Sequence, residues 1–316
     1  MAFAKVNNPV QDYDLSAPDK AARKRRLPAA KIVAFLVLFV FCAIWILPFF
    51  VMFAGSLRSH SDATFYPKEL FPPHSGFSLE MYQILLFNQY PDGVVHNATQ
   101  TFAIGYWFLN SCYAAIGGTL LYLFVASLAA YAFVFLDFKY RNVIFAVFVA
   151  SMIIPGTAVA IGNQQLVFSM GLNNSMLALI VPALSSVYGM YLIKTFFSSI
   201  PKDLIQSAKM DGCSNLRIFF KIVLPLGKTV LFVQGLFGFM AGWNDLVWPQ
   251  MLYSTKDTKL WTLQVGMAYV INNSRTSDLI GSALAGGVIC FVPVLIVYLI
   301  AQNTIIEGMA TVGIKR

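Results

Sequence analysis

The sequence predicts an all-α integral membrane protein with six transmembrane helices, and three observations carry that expectation. Apolar and aromatic residues fill 58% of the 316 positions and charged residues only 11%, against about 25% charged in a soluble domain. The scarce charges leave uncharged stretches long enough to cross a bilayer, which takes about 20 helical residues. The lysines and arginines, 22 against 14 acidic residues, sit between those stretches. Nucleic-acid binders cluster such cations on a folded surface, so this excess reads as membrane orientation and no nucleic-acid partner is expected.

The first span lies between Lys31 and Arg58. Its apolar part is longer than the roughly 7 to 15 residues of a signal-peptide core, so an uncleaved anchor is expected. The second runs from about Leu109 to Phe135. Residues 93–108 are also uncharged, but His96, Asn97, Thr99, Gln100 and Thr101 make a poor lipid-facing surface, and they are placed outside the membrane. No charge falls between Arg141 and Lys194, which leaves room for two spans, about Val143–Ile161 and Ser175–Phe197. The polar GNQQ at 162–165 and GLNNS at 171–175 mark the turn between them. The fifth span is about Thr229–Trp248 and the sixth lies within Leu279–Ile306.

An even count of spans puts both termini on one side. With the termini in the cytoplasm, seventeen of the 22 basic residues fall in inner segments and only Arg58, Lys68, Lys256, Lys259 and Arg275 fall outside, as the excess of cations in cytoplasmic loops requires. A multi-pass plasma or inner membrane protein is expected. Residues 1–30, with the cluster KAARKRR at 20–26, read as a flexible cytoplasmic tail suited to lipid headgroups or to a specific partner. Residues 31–316 form the transmembrane domain.

The chain carries no Walker A sequence, GxSxG elbow or HExxH helix, so neither a nucleotide site nor a catalytic one is expected. Cys42, Cys112, Cys213 and Cys290 are scattered without metal spacing and read as packing residues. His60, His74 and His96 fall in outer segments, again without such spacing. No metal or cofactor is expected on this chain.

The segment from Ser198 to Lys228 is too long for a simple turn between antiparallel helices, which takes about 2 to 8 residues. Pro201 suits a helix start and Gly212 the left-handed residue past a helix end, which predicts a short helix over 201–210. Ser214 is placed to cap a second helix, with Leu216, Phe219, Phe220 and Val223 on one apolar face and Arg217 and Lys221 on the other. Pro225 closes it. Such an arrangement on the cytoplasmic face serves either as a docking surface or as an interfacial anchor.

This segment resembles the EAA loop of permease subunits in ABC importers, whose pattern is E-A-A, three residues, G, nine residues, then I-x-L-P. Ala208, Gly212, Ile222, Leu224 and Pro225 match in register, and Asp211 precedes the glycine. Gln206 stands where the family has Glu and Ser207 where it has Ala. The segments NSCYAAIGG at 110–118, SLAAYAF at 127–133, IIPG at 153–156, SMGLNNSMLALIVP at 169–182 and QNTIIEGMATVGIKR at 302–316 resemble the MalG-like branch of carbohydrate importers. The resemblance covers residues 31–316, with a core permease region of about 105–301, and leaves the basic tail and the loop around 88–105 as unusual.

The resemblance implies a type I ABC importer permease fold in which residues 206–212 and 222–225 belong to a coupling helix seated in a cytoplasmic ATPase. It implies a homologous second permease, two ATPase subunits that hold ATP and magnesium, and an extracytoplasmic sugar-binding protein. Sugars are held by aromatic faces and side-chain amides. Candidates along the substrate path are therefore Asn163, Gln164 and Gln165 near the outer end of the third span and Trp243, Asn244, Asp245 and Trp248 near the outer end of the fifth, with Asp245 singled out as an ionisable group near the membrane interior. The outer loop of about 249–277 resembles the one that reaches toward the binding protein, which makes Lys256, Asp257 and Lys259 contact candidates. An importer of the same superfamily for a peptide, amino acid or phosphate is the competing expectation. A secondary transporter is a weaker one, because neither inverted repeats nor a coupling-ion site is visible.

Overall fold

A computed structural model of the chain describes residues 28–65, 73–89, 102–172, 174–253, 258–274 and 280–313, and every regular element among them is helical. The basic cluster at 20–26 lies outside the described residues. The chain divides into two units, residues 1–51 and 52–316. Helix α1 (Pro28–Ser56) supplies the described part of the first unit and runs into the second. Its stretch Lys31–Ser56 has the length and apolarity of a membrane span.

In the second unit, α2 (His60–Phe65) and α3 (Glu80–Phe87) precede a long helix. That helix consists of α4 (Ile104–Cys112), a π-helical turn at Tyr113–Gly117 and α5 (Gly118–Phe135). It begins at Ile104, not near Leu109, so residues 104–108 leave the loop assigned to them. Trp107, Asn110 and Ser111 explain the early start, because each bonds a later segment and so holds the first turns in place.

The third predicted span is not one straight helix. α6 (Arg141–Ser151) and α7 (Gly156–Ser169) meet at 105°. Pro155, extended at φ −63° and ψ 133°, has no N–H to continue the first helix and sets the start of the second. GNQQ thus lies inside α7, and the turn is carried by GLNNS, where Gly171 (φ 72°) and Asn174 (φ 57°) are left-handed. The fourth span is interrupted too, as α8 (Leu177–Ile180), a 3₁₀ turn at Val181–Ser185 with Pro182 in its first turn, and α9 (Val187–Phe197).

Three short helices follow, α10 (Lys202–Met210), α11 (Asn215–Ile218) and, after a π-helical turn at Phe219–Val223, α12 (Leu224–Leu226). The fifth span is α13 (Lys228–Asn244), broken at Asp245 before α14 (Val247–Leu252). A 3₁₀ turn at Thr258–Leu260, α15 (Leu263–Ser274) and the long α16 (Ile280–Gly313) complete the described residues. The first, second and sixth predicted spans are continuous helices long and apolar enough to cross a membrane, and the bent α6–α7 pair passes the same test jointly.

α5 packs on α9 and α13, while α16 packs on α3 and α15. The apolar interior of this unit forms two clusters along the long helix. One gathers Met81, Trp107, Trp243, Trp261 and Leu263 near its start. The other gathers Tyr131, Phe135, Ile193 and Phe197 near its end and takes in Ile205, Ala208, Ile218, Phe219 and Val223 from the short helices. Fully burying such side chains contributes roughly 1.5 to 3 kcal/mol each, so α10 and α11 are bound to the bundle by their own apolar residues.

Candidate functional site

The turn between α10 and α11 is built from local sequence. Gly212 has φ 79°. Its N–H donates to the Lys209 carbonyl at 3.0 Å, and the Cys213 N–H donates to the Ala208 carbonyl at 3.0 Å. These two bonds are a Schellman motif, which needs a left-handed residue after the helix and so favours glycine. Ser214 Oγ then accepts from the Arg217 N–H at 3.3 Å and caps α11. Pro201 is the N-cap of α10, one position before its first helical residue.

Beyond the turn the structure departs from the expected pattern. Ile218, Phe219 and Val223 are fully buried, whereas Leu216 is 63% exposed and Phe220 is 48% exposed. The π-helical turn adds a residue to the repeat and rotates the buried face relative to a regular α-helix. Pro225 does not close the helix; it lies in the first turn of α12, where a missing N–H costs least. The helix is interrupted for one residue at Gly227 instead. Of the eight residues singled out in the loop segment, Gln206, Ser207, Asp211, Gly212 and Pro225 are exposed, Ala208 is buried, and Ile222 and Leu224 are half-buried. α10 therefore presents an exposed side that carries Lys202, Gln206, Ser207 and Lys209 together with Leu204 and Met210, while Ile205 and Ala208 fasten it underneath.

Between the two apolar clusters, α5, α13, the 3₁₀ turn and α14 line a cavity of about 440 Å³. Thr119, Tyr122, Ser186, Gln234, Asp245 and Trp248 supply its polar groups. The Tyr122 hydroxyl donates to Gln234 Oε1 at 3.0 Å, with both side chains buried. Thr119 Oγ1 is buried without a partner among the described residues. Asp245 Oδ1 accepts from the Trp248 N–H at 3.2 Å across the helix break, and the Trp248 indole donates to the Ala178 carbonyl at 3.0 Å.

Of the seven substrate-path candidates, Asp245 and Trp248 line this cavity and the other five do not. Trp243 is 1% exposed, stacks on Phe239 and donates its indole N–H to the Cys290 carbonyl at 3.1 Å. Its surroundings are those of a core strut. Gln164 donates to the Met251 carbonyl and ties α7 to α14. Asn244 bonds its own helix at the Met240 carbonyl, Asn163 is half-buried, and Gln165 is exposed. Thr119, Tyr122 and Gln234 were missed in the sequence, although a polar side chain inside an apolar run is itself a signal.

The segment after Thr258 is latched to α4. The Trp107 indole donates to the Thr258 carbonyl at 2.7 Å, Asn110 Nδ2 donates to the carbonyls of Lys259 and Trp261 at 2.8 Å each, and the Leu263 N–H donates to Ser111 Oγ at 2.8 Å. Lys259 Nζ lies 5.7 Å from the centre of the Tyr106 ring. Lys256 and Asp257 lie outside the described residues.

A bundle of described helices with broken spans, a largely apolar cavity carrying a few polar groups and a short-helix platform at one end fits a multi-pass membrane permease. Residues 122–309 match the family model of the binding-protein-dependent transport system inner membrane component, and the chain belongs to that family. It is thus a membrane subunit of a transport system that works with other subunits. The chain is 29% identical over 210 residues to the arabinooligosaccharides transport system permease protein AraQ of Bacillus subtilis, covering 66% of this chain and 73% of that one. It is 27% identical to the sn-glycerol-3-phosphate transport system permease protein UgpE of Yersinia pestis, covering 83% and 89%. A probable ABC transporter permease of Mycoplasma genitalium is 26% identical over 98% of this chain and 96% of its own. Among solved structures, a chain of a bacterial ABC transporter involved in the import of the acidic polysaccharide alginate matches with a TM-score of 0.71 at 20% identity, covering 87% of this chain and 96% of that one. That likeness establishes the importer permease fold.

Proposed function

We propose that this chain is one of two permeases in an ABC importer for a sugar or oligosaccharide, paired with a homologous permease, driven by two cytoplasmic ATPases that hold ATP and magnesium, and fed by an extracytoplasmic binding protein. The observation that carries the coupling part is the Schellman turn at Gly212, which fixes the exposed face of α10 on a base of buried apolar residues. A chain without a nucleotide site must receive the work of ATP binding through a rigid contact, and a short helix so braced transmits a rotation without melting. Gln206, Ser207, Ala208, Asp211, Gly212, Ile222, Leu224 and Pro225 form or support that contact. The termini and α10 face the cytoplasm, as the distribution of lysines and arginines supports.

The sugar assignment is supported by relatives named for arabinooligosaccharides and glycerol phosphate, both polyhydroxylated. The cavity suits such a solute, since hydroxyl and amide groups stand beside the Trp248 indole. Asp245 and Trp248 remain substrate-path candidates, now joined by Thr119, Tyr122 and Gln234. Lys256, Asp257 and Lys259 are the proposed contacts to the binding protein.

Copurification of the tagged chain with its associated subunits, followed by a glycan panel on the copurified binding protein and ATP-driven uptake into vesicles, tests the reading. Uptake of a bound glycan that requires ATP hydrolysis is the expected result. A binding protein that ignores all glycans and takes a peptide, amino acid or phosphate would replace the sugar while leaving the permease role in place.

A further inference from the structure

A crevice of about 290 Å³ lies where the end of α5, the start of α6, the end of α9 and the start of α10 come together. Arg141, Lys194 and Lys202 bring three cations to it, beside Asn142 and Ser198. Among the described residues one carboxylate answers them: Arg141 Nη1 pairs with Asp137 Oδ1 at 3.1 Å, and Asp137 is fully exposed. Lys194 Nζ sits 4.0 Å from the centre of the Phe145 ring, and among the described residues no ion pair involves Lys194 or Lys202. The opposite wall is apolar, formed by Phe133, Val134 and Phe145. Along α6, Phe148 meets Phe133 edge-on, with ring centroids 6.1 Å apart, and continues this wall, while Val143, Ile144 and Val147 are exposed apolar residues elsewhere on the same helix.

We propose that this crevice binds the phosphate of an anionic phospholipid headgroup. Uncompensated cations at the foot of apolar helices attract such headgroups, and lysines and arginines contribute individually. The apolar wall is what separates a lipid from a free anion, because it accepts the glyceryl and acyl part that inorganic phosphate lacks. The ligand bridges the base of α10, through Lys202, to the span ends that carry Arg141 and Lys194. It therefore fastens the short-helix platform to the bundle at a point where the protein's own charges repel. Placement in the inner leaflet rests on the orientation proposed above; binding itself does not.

The test uses the intact copurified transporter in nanodiscs of phosphatidylcholine, with or without phosphatidylglycerol. Native mass spectrometry counts retained phosphatidylglycerol for the wild type, Lys194→Gln with Lys202→Gln, and Lys194→Arg with Lys202→Arg. The glutamine pair is expected to lose retention by roughly tenfold or more, since each cation near an anionic surface contributes about a factor of five. The arginine pair keeps both charges, retains the lipid, and serves as the control for folding. In the same discs phosphatidylglycerol raises the ATPase rate of the wild type and of the arginine pair but not that of the glutamine pair. Equal lipid retention by all three proteins overturns the site. Stimulation by inorganic phosphate in phosphatidylcholine discs, with none from phosphatidylglycerol, overturns the lipid assignment. Leaflet placement is read separately by cysteine labelling of Lys139, so a failed orientation and a failed lipid site give different results.

Discussion

The Tyr122 hydroxyl occupies the space that a side chain at residue 189 would need: a Cβ built on Gly189 falls 1.5 Å from that oxygen. The contact sets the approach of α5 to α9 and holds Tyr122 where it meets Gln234 beside the cavity. Gly189→Ala must push the ring or the helix aside, and overpacking of this kind costs about 1 to 3 kcal/mol. Thermal unfolding in detergent should fall accordingly. Tyr122→Ala is damaging alone but should cost less in the Gly189→Ala background, because the first change has already displaced the ring. Additive effects in that double-mutant cycle would place the strain elsewhere.

Gly212 has open space around its missing Cβ, so a substitution there acts through the backbone. A residue with a side chain at φ 79° costs roughly 1 kcal/mol or more, and least for Asn. Gly212→Val is expected to leave the subunit in the membrane while uncoupling uptake from ATP hydrolysis or releasing the ATPase. Gly212→Asn should be milder. Normal uptake by the valine variant would remove the turn from the coupling path.

How legible these features were depends on how local their causes are. The Gly212 turn and the Ser214 cap follow from one or two residues each, and both stood in the sequence. The buried face of 215–223 did not, because a π-helical turn leaves no mark in an apolar pattern and moves Leu216 and Phe220 outward. Pro155 announces a break without its angle. Thr119, Tyr122 and Gln234 were visible as polar residues in apolar runs, but the Tyr122–Gln234 bond spans 112 positions, a pairing that periodicity cannot supply. The burial of Trp243, 1% exposed, was not legible either, since an aromatic near a span end suits an interface or a sugar as well as a core.

Membrane orientation is checked with single cysteines. Placed at Lys139 and Lys209 they should react only from the cytoplasm, and at Lys256 only from outside. Labelling of the Lys209 position in intact cells by an impermeant reagent would overturn both the orientation and the cytoplasmic contact of α10.

The latch on α4 predicts a local effect on exchange. Ser111→Ala removes the acceptor of the buried Leu263 N–H, and an unsatisfied buried donor costs about 1 to 3 kcal/mol. Hydrogen exchange should quicken at the start of α15 and leave α10 and α11 unchanged. If both ends quicken together, the two apolar clusters are not independent.

Gln206 tests the docking face itself. It is exposed on α10, one position after the buried Ile205, so its side chain is free to meet a partner. Gln206→Glu supplies a carboxylate, and a charge-assisted hydrogen bond is roughly twice as strong as a neutral one. Within the chain the new charge also meets Lys202 and Lys209, four residues before and three after, but exposed helical pairs contribute only about 0.3 to 0.5 kcal/mol. A cation on the ATPase would gain more, because docking removes water from the pair. ATPase retention through washing should then rise several-fold, and the gain should shrink with added salt as the attraction is screened. An ATPase without a matching cation gives the reverse, a carboxylate buried unpaired and a weaker assembly. Either change places Gln206 in the contact. Retention unaffected at both low and high salt would move the contact off this face of α10, leaving Gln206 on a solvated surface.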